Sequence, residues 1–599
     1  MENKSDYFFE CSWEVCNKVG GIYTVVKSKV RQMMKYYKEK YYLIGPYFEK
    51  SEKTGEFIKE EPTKLLKGIF DKLAQRGIYC HYGKWIVNEN EPNVILIDYS
   101  KFSYNINNIK KDLWDNYSVD SMGTSYHDFD EPVLWGTAAG ILIDEIRLSI
   151  DKEKIAAQFH EWLAGAGLLY LRMKNSRVGT IFTTHATMLG RTIATNNEEL
   201  YDLLDKINPQ EKAYELGIQS KFLMEKACAE AADSFTTVSE ITGMEATYFL
   251  GKKPDVLLPN GLDIEKFPTF DDASIKHKRY KEKIRQFCLY YFFPYYSFDI
   301  ENTLFFFICG RNEFKDKGLD VYIESLGLLN KKLKEENSDK NVVAFIWVPG
   351  DVGEIKKDIV QNRSNYDDIY DSVHDITEDI KQKIIYGILS KQELNSEFLF
   401  GKSLMQETKK KLVRLTKSGL PPLCTHHLNN EGNDRIINAL KNHSLVNDVK
   451  DKVKVVYYPI FLTGADALLD LSYYEAIMGT HLGVFPSYYE PWGYTPLETG
   501  ACGVAAVTTD LAGFGKYVQR ESASHKNKGI YVLERLHKSY EEVVKDMEKV
   551  FYDFVHLTKQ DRIENKLRAK RIASLADWHI LADNYIKAHN LAVDRAEHR

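Results

Sequence analysis

The sequence is poor in cysteine, and the thiols it has are scattered. Eight cysteines are spread over 599 residues. Only Cys11 and Cys16 lie near one another, and no CxxC pair occurs. This pattern excludes a disulfide-stapled scaffold and a thiolate zinc site, and it predicts reduced thiols in a cytoplasmic protein. No apolar run approaches the roughly 18 residues that a membrane-spanning helix needs. The aromatic stretch FCLYYFFPYYSF, residues 287–298, is broken by Pro294. The first residues, MENKSDYFFE, carry no apolar segment of the secretory type. Positive charge is not in excess: 80 Lys and Arg stand against 86 Asp and Glu, a net charge of −6. That balance argues against a general binder of nucleic acid or of anionic membrane. No cluster with metal-ligand spacing is evident, so neither a metal nor another cofactor is expected. Repeats of fixed period and low-complexity tracts are also missing.

What is present is an ordinary globular composition, 44% hydrophobic and 28% charged, in a chain too long for one core. Tyr (38) and Phe (30) are abundant, a bias that suits stacking on sugars or bases. Up to about residue 265, short apolar runs (KYYLIGPY, NVILIDY, KIAAQFH, GTIFTTH) alternate with amphipathic segments. One such segment places Ile22, Val25, Val26, Val30, Met33, Met34 and Tyr37 three and four apart. A second alternating series runs through TLFFFICG, VVAFIWVPG, VKVVYYPIF, HLGVFPS and VAAVTTD. The pattern predicts an α/β protein with two Rossmann-like domains and a cleft between them, with ligands beyond the C-terminal ends of the strands. Between the two central strands of the second series lies a polar insertion. In it Tyr366, Ile369, Val373, Ile376, Ile380, Ile384 and Ile388 form a narrow apolar seam. Such a seam pairs with another helix, as in an oligomer, or lies on its own domain; both readings stand.

Four constellations could carry chemistry. In NKVGGIYTVVKSK, Gly20 and Gly21 turn the chain into a helix and let backbone N–H groups approach a phosphate, with Lys18 adding charge. A plain geometric turn is the alternative. In TLFFFICGRNEFKDKGLD, Arg311 and Lys317 follow a buried strand and could clamp a diphosphate; otherwise they are a solvated basic loop. In HLGVFPSYYEPWGYTPLE, residues 481–498, Thr495-Pro496-Leu497-Glu498 reads as a capping box, which gives Glu498 a structural role. Glu490 has no such role and could accept hydrogen bonds from sugar hydroxyls, while the helix start after Gly493 would face an anion. In QFHEWLAGAG and TIFTTHATMLGR, His160 and His185 stand at successive strand ends, with Arg191 six residues after His185. Each is a core histidine or a cleft residue. Together these groups form the set a nucleotide-sugar transferase needs, with cations and a helix start in place of a metal.

At this point NKVGGIYTVVKSK, LIGPY, FHEWLAGAG, TIFTTHATMLGR, FTTVSEIT, PNGLDIEKF, GRNEFKDKGLD, SGLPPLCTHH and HLGVFPSYYEPWGYTPLE resemble eukaryotic-type glycogen synthase, in order along nearly the whole chain. The resemblance implies a GT-B fold and transfer of glucose from UDP-glucose to the 4-hydroxyl of glycogen, with retention at the anomeric carbon. It implies that Glu490 contacts the donor glucose near its 3-hydroxyl and Glu498 the ribose. Arg311 and Lys317 match the diphosphate clamp, and Lys18 stands where an arginine is usual beside Gly20 and Gly21. His160, His185 and Arg191 match the other wall of the catalytic cleft. Tyr473 matches a uracil-stacking tyrosine, and Tyr494 and Thr495 match backbone donors to the diphosphate, in the loop that also holds Trp492 and Gly493. Retention without an evident enzymic nucleophile implies front-face displacement.

The implied organisation is an N-terminal domain over residues 1–268 completed by a helix at 573–599, and a second domain over 269–572 containing an oligomerisation insertion at 352–425. Family members are often tetramers activated by glucose 6-phosphate through an arginine-rich C-terminal helix. Here the matching positions hold Lys559, Arg562, Lys566, Arg568 and Arg571, with Gln560 interrupting. Lysine is the poorer bidentate phosphate ligand. Glycogen and a glycogenin-type primer are the implied partners. The sequence shows no Ser/Pro-rich stretch of the kind phosphorylated in animal members, so control by tail phosphorylation is not expected. An α-glucan phosphorylase shares the architecture but needs a pyridoxal-phosphate lysine, whose motif is not seen. A non-catalytic glycogen-binding scaffold is the third reading.

Overall fold

The structure, a computed structural model, describes residues 2–53, 55–87, 89–150, 152–196, 198–521 and 528–599. Two sheets dominate it. The first contains β1 (Tyr7–Cys11), β2 (Tyr41–Pro46), β3 (Phe57–Lys59), β4 (Tyr79–Trp85), β5 (Asn93–Asp98), β6 (Ile155–His160), β7 (Gly179–Thr184), β8 (Ser234–Thr237) and β9 (Val256–Leu257). Their order is β3-β4-β5-β2-β1-β6-β7-β8-β9, parallel except where β4 pairs with β3 and β5. The chain then forms β10 (Leu304–Cys309), β11 (Val342–Trp347), an antiparallel ribbon of β12 (Val352–Ile355) and β13 (His426–Leu428), β14 (Val453–Tyr457), β15 (Leu482–Val484), β16 (Ala505–Thr509) and β17 (Ile530–Leu533). The second sheet is fully parallel, in the order β14-β11-β10-β15-β16-β17.

Taken in chain order, the six strands of the second sheet run third-second-first-fourth-fifth-sixth, and the parallel strands β5-β2-β1-β6-β7-β8 repeat that order. The order reverses direction between β1 and β6 and again between β10 and β15. At such switch points the connecting helices diverge to opposite faces and leave a crevice beyond the strand ends. Strands covered on both faces must be apolar throughout, and LFFFIC and VVAFIW are buried at every position. The expected runs appear as β2, β5, β6, β7, β10, β11, β14, β15 and β16. The polar antiparallel strand YCHYGKW (β4) and the short β3, β8, β9 and β17 were not foreseen.

The aromatic excess is mostly spent inside. Phe287, Tyr291, Phe305, Phe307, Phe345, Trp347 and Tyr458 pack in one core cluster under the second sheet. The helix Phe270–Phe292 carries the first half of FCLYYFFPYYSF into that cluster. Among the described residues no helix is long and apolar enough to cross a membrane. The last helix, Trp578–Glu597, returns to the first sheet. A Cβ on Gly179 at the start of β7 would lie 2.7 Å from the Val593 nitrogen, so only glycine admits the helix so close.

The apolar seam of the insertion is not one helix. The chain breaks at Ile376 between the helices Lys357–Asp375 and Thr377–Ser390, and a third helix, Ser396–Leu415, follows. Ile376 leaves helical geometry with φ −103° and ψ 4°. Tyr366 packs on Tyr290 of the core, whereas Val373 and Ile388 are 46% and 65% exposed.

Gly318 links fold to site. Its φ is +72°, and a Cβ there would sit 2.1 Å from the carbonyl oxygen of Pro486. The turn after β10 and the loop after β15 can close on each other only because no side chain intervenes. Gly318→Ala is expected to lower stability by roughly 2 kcal/mol or more, seen as a lower denaturant midpoint at unchanged slope.

Candidate active site

The first switch point places two histidines together. β6 ends in His160 and β7 runs directly into His185, and His160 Nδ1 lies 2.8 Å from His185 Nε2. Glu161 follows with φ +65°, an uncommon conformation for a non-glycine residue. This turn brings its carboxylate under the next strand end, where Oε1 accepts from the backbone N–H of His185 (2.9 Å) and Ala186 (3.2 Å). Burial pushes the Glu161 carboxyl up to about 7 against the pull of Arg191 and those donors. Arg191 sits on the helix Met188–Thr195, whose N-cap Thr187 accepts from Gly190 N–H at 3.1 Å and donates to Glu245 at 2.6 Å. The Arg191 side chain is exposed, and among the described residues it makes no ion pair.

At the second switch point Lys317 Nζ lies 2.5 Å from Glu490 Oε2, joining the loop after β10 to the loop after β15. Arg311 pairs with Glu313 at 2.9 Å, and its side chain is 78% exposed. The expected capping box does not form. Gly493, at φ +105°, takes the N-cap position of the helix Tyr494–Ala501, and no side chain caps that helix. Thr495 therefore lies inside the first turn. Glu498 turns instead to the helix Tyr473–Gly479, accepting from the hydroxyls of Tyr473 (3.1 Å) and Tyr474 (2.9 Å). Burial pushes the Glu498 carboxyl up to about 7, opposed by those two hydroxyls. Trp492, 4% exposed, packs its ring beside Phe514 and Tyr517.

The Gly20-Gly21 turn is also partly taken. Glu14 Oε2 accepts from the backbone N–H of Gly20 (2.7 Å) and Tyr23 (2.9 Å), so the chain's own carboxylate occupies this helix start. Lys18 and Gly21 remain exposed. Glu14 and Glu10, which the motif reading passed over, lie in the same ECSWE segment.

The two halves meet across these loops. Tyr489 donates to Glu245 at 3.5 Å, Lys315 pairs with Glu199 at 2.7 Å, and Tyr488 meets Tyr201 edge to face at 5.7 Å. The switch-point residues of both sheets thus converge on one cleft.

A family model described as glycogen synthase matches residues 10–598. The chain belongs to the glycogen synthase family. It is 36% identical to the liver glycogen [starch] synthase of Homo sapiens, an alignment covering 98% of this chain and 83% of that protein. Identity to the glycogen [starch] synthase of Caenorhabditis elegans is also 36%, over 98% of this chain and 88% of that one. Among solved structures it resembles the catalytic domain of starch synthase IV from Arabidopsis thaliana bound to ADP and acarbose. That likeness has a TM-score of 0.52 at 13% identity and covers 99% of this chain and 100% of that one; it is a likeness of fold. The architecture is GT-B, with two Rossmann-like sheets about a cleft.

This glycogen synthase family member has a second concavity, a cavity of 1190 Å³ at the N-terminal ends of β10, β11, β15 and β16. Lys559, Arg562 and Lys566 line it from the helix Lys559–Ser574, and His277, Lys281 and His481 line it from elsewhere. Arg568 and Arg571 are not among its lining residues. Burial pushes the Lys566 ammonium down to about 7, aided by Lys281 and Arg562, and pushes His277 down to about 3. The sequence did carry a sign of these partners: His277, Lys281 and Arg285 are spaced four apart on one helix face.

The Glu498 carboxyl titrates near 7 in the folded protein and near 4.5 when unfolded. Its contribution to stability is full below the unfolded value and is lost as pH rises through 7. Glu498→Gln removes this dependence. Between pH 5 and 8 the stability of the parent should fall relative to Glu498→Gln by of order 1–3 kcal/mol, measured by denaturant unfolding at each pH.

Proposed function

We propose that this glucosyltransferase moves glucose from UDP-glucose to the non-reducing 4-hydroxyl of glycogen, forming α-1,4 links with retention. The observation that carries the reading is the Lys317–Glu490 pair at 2.5 Å beside an uncapped helix start, with His185 and Arg191 on the opposite wall. Lys317, Arg311 and Arg191 supply positive charge for the diphosphate, and the free N–H groups of Tyr494 and Thr495 add directed donors. Glu490 is then the carboxylate for the donor sugar. Glu498, oriented by Tyr473 and Tyr474, serves the ribose, and Tyr473 offers its ring to the uracil.

When the anomeric C–O bond to the phosphate breaks, these cations and N–H groups stabilise the charge that gathers on UDP. The departing phosphate oxygen takes the proton of the attacking 4-hydroxyl on the same face, so configuration is retained without an enzymic nucleophile. The reaction so drawn uses no metal or cofactor. A phosphorylase reading lacks support from the family match, and a non-catalytic scaffold would have no use for the cleft's paired charges.

The cavity at Lys559, Arg562 and Lys566 is read as the site of glucose 6-phosphate activation. Clustered, desolvated cations gain most when a dianion neutralises them. The exposed apolar residues of the helices between 357 and 415 favour a homo-oligomer, a tetramer by family likeness, in the cytoplasm, with a glycogenin-type primer as a further partner.

Glu490→Gln should lose kcat by about 10²–10³-fold, with the thermal midpoint nearly unchanged. The assay measures nucleoside diphosphate released from UDP-glucose, with ADP-glucose as control, in the presence of glycogen; full activity of the variant would exclude the assignment. Lys566→Glu should flatten the response to glucose 6-phosphate while basal turnover is kept. An unchanged activation curve would remove the effector site.

A further inference from the structure

Behind His185 runs a buried chain of polar groups that none of these roles uses. Glu10, in β1, is fully buried. Its Oε1 accepts from Lys29 Nζ at 2.5 Å and meets His160 Nε2 at 2.8 Å, and its Oε2 accepts from the Tyr41 hydroxyl. Lys29 has no solvent exposure, and its ammonium lies 4.1 Å from the centre of the Tyr585 ring on the last helix. His160 passes the chain on to His185 through the 2.8 Å contact between Nδ1 and Nε2.

Each link fixes the next proton. Burial works against an ionised Glu10, but Lys29 and His160 outweigh it and hold its carboxyl well below the usual range. An ionised carboxylate only accepts, so His160 Nε2 carries a hydrogen. His160 is neutral, because burial lowers its pKa despite Glu10. Its Nδ1 is then a bare lone pair, and the contact with His185 requires the hydrogen on His185 Nε2. His185 is neutral as well: burial, His160, Lys29 and Arg191 all push it down. A neutral imidazole has one N–H, so His185 Nδ1 is left as an acceptor. Among the described residues no protein group bonds that atom.

We propose that Lys29, Glu10 and His160 are positioning residues that lock His185 into the tautomer whose Nδ1 accepts a hydrogen bond, dedicating that atom to a hydroxyl of the sugar in the cleft. A phosphate oxygen has no hydrogen to give and is turned away from this position toward Arg191, Arg311 and Lys317. The relay thereby separates the sugar-facing group from the phosphate-facing ones. The inference rests on the glucosyl-transfer reading for the identity of the hydroxyl, but the tautomer itself can be read without turnover.

The test uses the full chain with nitrogen-15 histidine, His185 being assigned by the signals lost in His185→Asn. The expected spectrum shows His185 Nε2 protonated and Nδ1 unprotonated; the reverse overturns the proposal. Two double variants separate the relay from mere packing. Lys29→Met with Glu10→Leu removes the buried charges and the acceptor together, a swap that buried ion pairs often tolerate. It should release the other tautomer and lose kcat by about 10–100-fold, the cost usual for removing the partner that orients a histidine. Lys29→Met with Glu10→Gln restores an oxygen for His160 and should recover most of the tautomer and of kcat. Equal behaviour of the two variants, or wild-type kcat in the first, refutes the relay. If the first variant does not fold, the wild-type spectrum still decides. Absence of UDP release by the wild type would refute the transfer reading alone, because the spectrum is independent of turnover.

Discussion

A lysine ammonium held between a carboxylate and a tyrosine ring, all without solvent, is the constraint on which the cleft depends. Lys29 comes from the helix Gly21–Tyr37, Glu10 from β1, and Tyr585 from the last helix of the chain. An uncompensated charge at this depth would cost several kcal/mol, so neither Lys29 nor Glu10 can leave without the other. The last helix is thereby tied to the wall of the cleft, although it lies more than 550 residues from Glu10 in sequence. His589 on the same helix adds to the tie through Tyr37 at 2.7 Å and Gln158 at 3.4 Å.

The second half uses short helices as rigid spacers between its two concavities. Tyr473 opens the helix Tyr473–Gly479 and holds Glu498, and five residues later Met478 lines the cationic cavity and receives His277 at its carbonyl oxygen, 2.7 Å away. The helix Tyr494–Ala501 begins at the cleft and ends beside Cys502 and Gly503, which line the same cavity. Lys570 of the cationic helix donates to the Ala501 carbonyl at 2.9 Å. Arg562 and Lys566 are thus separated from Glu498 by a single short helix, with close-packed backbone in between: a Cβ on Gly500 would lie 3.1 Å from Ala569 oxygen.

The sheets were legible because parallel strands buried on both faces leave unbroken apolar runs, and HLGVFPS and TLFFFICG are of that kind. The strand order could not be read, since it depends on which helices cross to which face. Lys317 and Glu490 were recognisable as residue types at strand ends, but their pairing joins positions 173 apart. Glu10 was illegible for a different reason: in YFFEC it looks like the polar end of a strand, and only tertiary burial turns it into an anion with three donors. The capping box failed where a local rule met a stronger one. Gly493 supplies a left-handed turn directly before the helix, and the chain enters at that residue rather than at Thr495.

That failure has a chemical consequence. A threonine cap and a glutamate at the third helical position would each consume backbone N–H groups of the first turn, the donors an anion needs. With glycine at the cap, no side chain reaches those groups, and Glu498 is withdrawn to the tyrosines of a neighbouring helix. The contrast with the other glycine turn is instructive, because there Glu14 does take the N–H groups of Gly20 and Tyr23. One helix start is closed by an internal carboxylate and shapes the wall. The other is left uncapped at the second switch point, beside Lys317, where the helix dipole and the lysine both favour an anion.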